Sequence, residues 1–192
     1  MANKPFVLAI LDGWGFSKQK IGNPFSEAKL PIFDELNTNY PMTLLQASGP
    51  AVGMTWNEPG NSEVGHLNLG AGRIVQQYLS IISRSIEKGE FFSNPALLGA
   101  LEHTKKTGGA IHIAGLLTSG TAHSDFSLIP AILETAQKTG VTNLLFHFFT
   151  DGKDSGLQEG QDLLIKVQEL ITKYGLGKIT TIIGRNLGMD RD

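Results

Sequence analysis

With 192 residues, 41% of them apolar and 18% charged, the chain can bury a sizeable core and lacks the composition of a disordered protein. A formal net charge of −2 excludes a general attraction to nucleic acid or anionic membrane, so any bound anion must be met by a few placed cations. No cysteine is present, which removes disulfides, thiolate metal sites and cysteine nucleophiles together. The apolar run near the N-terminus is too short to span a bilayer, and a soluble, cytoplasmic protein is expected.

Residues 6–11 (FVLAIL) form a continuous apolar run stopped by Asp12-Gly13, the pattern of a strand buried on both faces. Residues 42–46 (MTLLQ) read as a second strand, and 61–69 as the start of a helix. Over 74–86, Ile74, Tyr78, Ile81, Ile82 and Ile86 keep helical spacing, and Gly89 closes the segment. The pattern then becomes regular. Helix is predicted over 95–106, strand over 110–117, helix over 126–138, strand over 143–149, helix over 157–174 and strand over 178–183. Such alternation predicts an α/β fold with a mainly parallel sheet.

Ligands of open parallel sheets bind beyond the carboxyl ends of the strands, and four predicted strands here end on reactive residue types. The first runs into Asp12, which serves either as a turn residue before Gly13 or as an oxygen ligand for a hard cation. The strand over 110–117 is followed by a Gly/Ser/Thr-rich loop with His123 and Asp125. There His123 is either functional or solvated. The next strand runs into Asp151-Gly152-Lys153-Asp154, where Lys153 has a chance to pair with its acidic neighbours. The last runs into Arg185, with Arg191 close behind. Two guanidinium groups at this spacing can grip a carboxylate or phosphate, or can be ordinary surface arginines. His112 and His147 lie inside apolar strands and are assigned to structure; His103 sits on a predicted helix beside Lys105 and Lys106 and is expected to be solvated.

Ser62 follows a Pro59-Gly60 turn and precedes a helix. By position it is a helix N-cap or a hydroxyl presented at a helix N-terminus. No G-x-S-x-G elbow surrounds it, and GHLNLGAGR matches neither a P-loop nor a dinucleotide fingerprint. Activation by a divalent cation is the remaining chemical route to a serine nucleophile.

The motifs LDGWG at 11–15, GNSEVGHLNLGAGR at 60–73, GLLTSGTAHSD at 115–125, DGKD at 151–154 and GRNLGMDRD at 184–192 occur in order. Together they resemble the cofactor-independent (2,3-bisphosphoglycerate-independent) phosphoglycerate mutases of the alkaline phosphatase superfamily. The resemblance implies that residues 1–76 are the first segment of a phosphatase-like metal-binding domain. Residues 77–192 would then be part of an inserted α/β, transferase-like substrate domain. It implies an isomerase of glycolysis and gluconeogenesis that interconverts 3-phosphoglycerate and 2-phosphoglycerate through a phosphoserine. Two divalent metal ions, Mn2+ by family habit, are implied with it.

In that frame Ser62 is the phosphorylated serine and, with Asp12, a metal ligand. His123, Lys153, Asp154, Arg185 and Arg191 match substrate-binding positions. Three positions depart from the family pattern, Lys153 for an arginine, Ser119 for an acidic residue and Asp125 for a histidine, and the segment MTWNEPGNS leading into Ser62 also differs, with a displaced proline. The family's remaining metal ligands have no counterpart in this sequence. The chain is therefore expected to be an incomplete piece, inactive alone, whose partner is the C-terminal portion of the same enzyme. Alternatives kept open are another metal-dependent phosphomutase or phosphatase of the superfamily, and a catalytically empty binding or interaction module.

Overall fold

A computed structural model describes residues 4–56 and 58–190. The chain divides into two compact units, Met1–Gln76 and Gln77–Asp192.

The first unit holds two short helices, α1 (Pro24–Glu27) and α2 (Pro31–Asn39), a 3-10 turn (Gly49–Val52) and helix α3 (Ser62–Ala71). Prolines sit in the first turn of both α1 and α2, where their missing N–H costs nothing. Trp14 lies 4.2 Å from both Phe25 and Phe33, ring centroid to centroid, and gathers the segment after Asp12 onto these helices. The strands predicted over 6–11 and 42–46 do not form: neither segment has ladder partners among the described residues. Phe6 is 90% exposed and Leu45 79%. A strand is completed by its neighbours, and these runs carry the hydrophobicity of a strand without one.

The second unit opens with α4 (Tyr78–Glu87), which starts four residues later than the helical spacing predicts, then a 3-10 turn (Glu90–Ser93). Helix α5 (Pro95–Thr107) is capped by Asn94, whose side chain accepts from the N–H of Ala96 and Leu97. Strand β1 (Ile111–Leu117), α6 (Leu128–Thr139), β2 (Leu144–Thr150), α7 (Gly160–Tyr174), β3 (Lys178–Gly184) and the single turn α8 (Arg185–Gly188) complete it. The sheet is parallel throughout, in the order β1-β2-β3. From 95 onward the predicted helix and strand sequence of this half is thus present, with no boundary moved by more than three residues.

Leu101 of α5, Leu133 and Ala136 of α6, and Leu163 and Val167 of α7 meet Leu117, Leu144, Phe146 and Phe148 in one core. Those strand residues share one face. On the other face His112 Nδ1 lies 2.9 Å from His147 Nε2, and His147 Nδ1 lies 2.8 Å from Thr181 Oγ1. This polar ladder joins all three strands, and the two histidines serve structure there. In register, Leu117 pairs with Thr150 and Thr150 with Gly184. The loops after β1 and β2 and the start of α8 therefore open from one edge of the sheet.

Candidate functional site

Asn61, not Ser62, caps α3: its side chain accepts from the N–H of Val64 at 2.9 Å. The N-cap reading of Ser62 is corrected by one residue, because asparagine takes the role just ahead of it. Ser62 is left at the first helical position with its hydroxyl free, and Oγ donates to Asp12 Oδ2 at 2.5 Å. Asp12 occupies the turn in which the Trp14 N–H reaches Leu11 O and Gly13 adopts φ +79°, so its turn role and its contact with Ser62 coexist. The loop bearing Ser62 packs tightly on the preceding chain. A Cβ on Gly60 would stand 1.7 Å from Ala47 O, so only glycine fits there.

His66, one helical turn after Ser62, belongs to this cluster although the sequence reading passed over it. Its Nδ1 lies 2.7 Å from Ser62 O and 3.3 Å from Ser62 Oγ. With Nδ1–H donated to the carbonyl, Nε2 keeps its lone pair. The i, i+4 spacing from Ser62 was the available signal. Asp12 and Ser62 put two hard oxygen donors side by side, which fits a share of a divalent cation's shell. Among the described residues no group of three or more His, Asp or Glu side chains assembles into a metal site.

A second cluster lies at the carboxyl edge of the sheet in the other unit. Arg185 Nη1 donates to Asp151 Oδ1 at 3.0 Å and to Asp154 Oδ2 at 2.6 Å. His123 Nε2 lies 3.8 Å from the same Asp154 oxygen. Lys153 is exposed and has no ion-pair partner among the described residues, so the local pairing with Asp151 and Asp154 does not form. Arg185 takes both carboxylates instead. His123, Asp154 and Arg185 are brought together; Arg191 lies outside the described residues.

Two of the three departures find local uses. Ser119 donates to Glu159 Oε2 at 2.5 Å, and Asp125 Oδ1 accepts the Ser127 N–H at 2.7 Å just ahead of α6. Gly120 lets the loop after β1 approach the loop after β2, since a Cβ there would stand 2.4 Å from Asp154 O.

Asp151 is the most constrained carboxylate of the cluster. Burial works against its ionisation, yet bonds from Thr118, the Lys153 N–H, Arg185 and the Gly152 N–H together hold it well below the usual carboxylate range. The two carboxylates beside Arg185 in turn raise the guanidinium's pKa. Because the folded-state value is depressed, Asp151 contributes stability that is complete above the ordinary value near pH ~4 and is lost as pH falls through the lower, folded one. The stability deficit of Asp151→Asn in urea titrations should accordingly stay constant from about pH 5 to 8 and shrink only in stronger acid. A deficit that changes around neutrality would refute this.

With both clusters located, the sequence profile described as BPG-independent PGAM N-terminus matches residues 82–192, more than half of the chain. The chain belongs to the cofactor-independent phosphoglycerate mutase family. It is 45% identical over all 192 residues to the 2,3-bisphosphoglycerate-independent phosphoglycerate mutase of Clostridium beijerinckii, covering 38% of that protein. It is 44% identical over 190 residues to the enzyme of the same name from Moorella thermoacetica, covering 37% of it. A solved Leishmania mexicana phosphoglycerate mutase, crystallised at low cobalt concentration, superposes with a TM-score of 0.74 at 30% identity. That match takes in 92% of this chain and 33% of the other. The chain thus spans little more than a third of the length of its relatives and corresponds to their N-terminal part. Among the described residues no helix is long and apolar enough to cross a membrane.

Proposed function

We propose that this chain is the N-terminal portion of an enzyme that interconverts 3-phosphoglycerate and 2-phosphoglycerate in the cytoplasm, with Ser62 as the phosphoryl acceptor. The observation that carries the reading is the Ser62 hydroxyl, released from capping by Asn61 and held on Asp12 at the start of α3. In this reading Met1–Gln76 is the front segment of the phosphatase-like domain and Gln77–Asp192 contributes part of the substrate domain. The C-terminal portion of the enzyme supplies what these two pieces lack.

The chemistry balances as two in-line displacements. Ser62 Oγ attacks phosphorus, the P–O3 bond of 3-phosphoglycerate breaks, and O3 gains a proton as the serine loses one. After the glycerate turns, its O2 attacks the phosphoserine, the P–Oγ bond breaks and Ser62 regains its proton. Asp12 and Ser62 would hold one of two divalent ions, Mn2+ in our reading, which lowers the serine pKa and offsets phosphoryl charge when bound. The opening N–H groups of α3 add a favourable dipole for a phosphoryl group on Ser62. Arg185, Arg191, Lys153, His123 and Asp154 bind the glycerate; guanidinium forks suit its carboxylate and phosphate. Lysine at 153 keeps the charge of the family's arginine without its fork.

The test is 31P NMR of the natural-length polypeptide with 3-phosphoglycerate and Mn2+. Growth of 2-phosphoglycerate without inorganic phosphate is expected. Free phosphate as the main product would favour the phosphatase alternative, which the departures at Ser119, Asp125 and Lys153 keep in play. No conversion at all would refute the reading.

A further inference from the structure

Resting on that reading, we propose that Asp151 is a positioning residue that aims the Arg185 guanidinium at the acidic substrate without touching substrate itself. Its side chain is fully buried, whereas that of Asp154 is 21% exposed. Oδ1 accepts from the Lys153 N–H at 3.0 Å and from Arg185 Nη1 at 3.0 Å. Oδ2 accepts from Thr118 Oγ1 at 2.6 Å and from the Asp154 N–H at 3.2 Å. One carboxylate therefore ties the end of β1, the loop after β2 and the first residue of α8. With its lone pairs committed inside the protein, Asp151 has none to offer a ligand.

The division of the guanidinium completes the argument. Both protein bonds use Nη1, one to Asp151 and one to Asp154. Among the described residues the Nε–Nη2 edge has no partner. That edge carries two parallel N–H donors, the arrangement that meets a carboxylate or phosphate in bidentate fashion. Pinning one nitrogen while freeing the opposite edge fixes the direction of the fork, so less side-chain freedom remains to be lost on binding. Asp154 alone leaves the guanidinium able to swing about a single, partly exposed contact. Thr118 belongs to the same device: its hydroxyl donates to Asp151 and accepts the Gly120 N–H at 2.9 Å, which locks the carboxylate's rotamer.

The inference predicts coupling and not merely a loss. In the natural-length enzyme, Asp151→Asn should raise KM about tenfold, the scale on which losing a ligand-orienting hydrogen bond acts, with kcat within about twofold. In an Arg185→Ala background the same change should add almost nothing, since the residue it aims is gone. A comparable rise in KM in both backgrounds would overturn the proposal, as it would mark a general structural effect. A second readout needs no turnover. In the same natural-length enzyme without substrate, the Arg185 Nε–H NMR signal should report an ordered guanidinium in the wild type and an averaged one in Asp151→Asn. Equal order in both would refute the aiming role. If the wild-type enzyme forms no 2-phosphoglycerate, the functional reading fails while the NMR comparison still decides this one.

Discussion

Phe146→Ala should cost the second unit about 3–5 kcal/mol, the range for removing a fully buried aromatic side chain from a core. Phe146 has no exposed surface and stands on the central strand, with Ile113 of β1 and Ile179 of β3 as its register partners. Its ring stacks on Phe148 at 5.4 Å, and Leu133, Val167 and Ile171 of the covering helices belong to the same cluster. The site has little room to collapse. Gly177 already brings backbone so close that a Cβ there would stand 3.0 Å from the Phe146 ring. A domain holds about 5–15 kcal/mol in all, so the loss should lower the urea midpoint sharply at an unchanged m-value. A change below about 1 kcal/mol would mean that the core repacks around the void or that this sheet is not the stabilising centre of the unit.

The contrast between the two halves explains what the sequence made legible. Strands β1, β2 and β3 could be placed because each apolar run is bounded by turn residues and separated from the next by an amphipathic helix. Local pattern and tertiary partner lie within the same stretch of chain. The run over 6–11 carries an equally strong strand pattern, yet Phe6 and Val7 are 90% and 82% exposed and unpaired. Hydrophobicity states that a segment needs neighbours but does not state where they are. The cap of α3 falls on Asn61, one residue before Ser62, because Asn and Ser are near-equal caps and only geometry shows which side chain reaches the Val64 N–H. The pairing of Arg185 with Asp151 spans 34 residues. Sequence proximity favoured Lys153, whereas parallel register places the ends of β2 and β3 side by side. His66 was overlooked because a histidine on a short helix carries no signal until its neighbour is treated as a nucleophile.

Ser62→Ala should separate chemistry from folding more cleanly than any other change at the first cluster. In the natural-length enzyme, kcat should fall on the order of 10^4-fold or more, since removal of a covalent nucleophile leaves only binding and electrostatic contributions. Stability should change by less than about 0.5 kcal/mol, because Ser62 is exposed, Asn61 keeps the cap, and alanine is a better helix former than serine. Asn61→Ala should behave in the opposite sense. It removes the bond to the Val64 N–H and should cost about 1 kcal/mol of stability, while leaving a hydroxyl next to Asp12 and hence much of the turnover. The pair of variants therefore tests the division of labour between adjacent residues at the start of α3. If Ser62→Ala retained substantial turnover, the phosphoserine route would be refuted. If it instead melted as Asn61→Ala does, Ser62 would be the cap after all, and its bond to Asp12 would be a packing contact and no more.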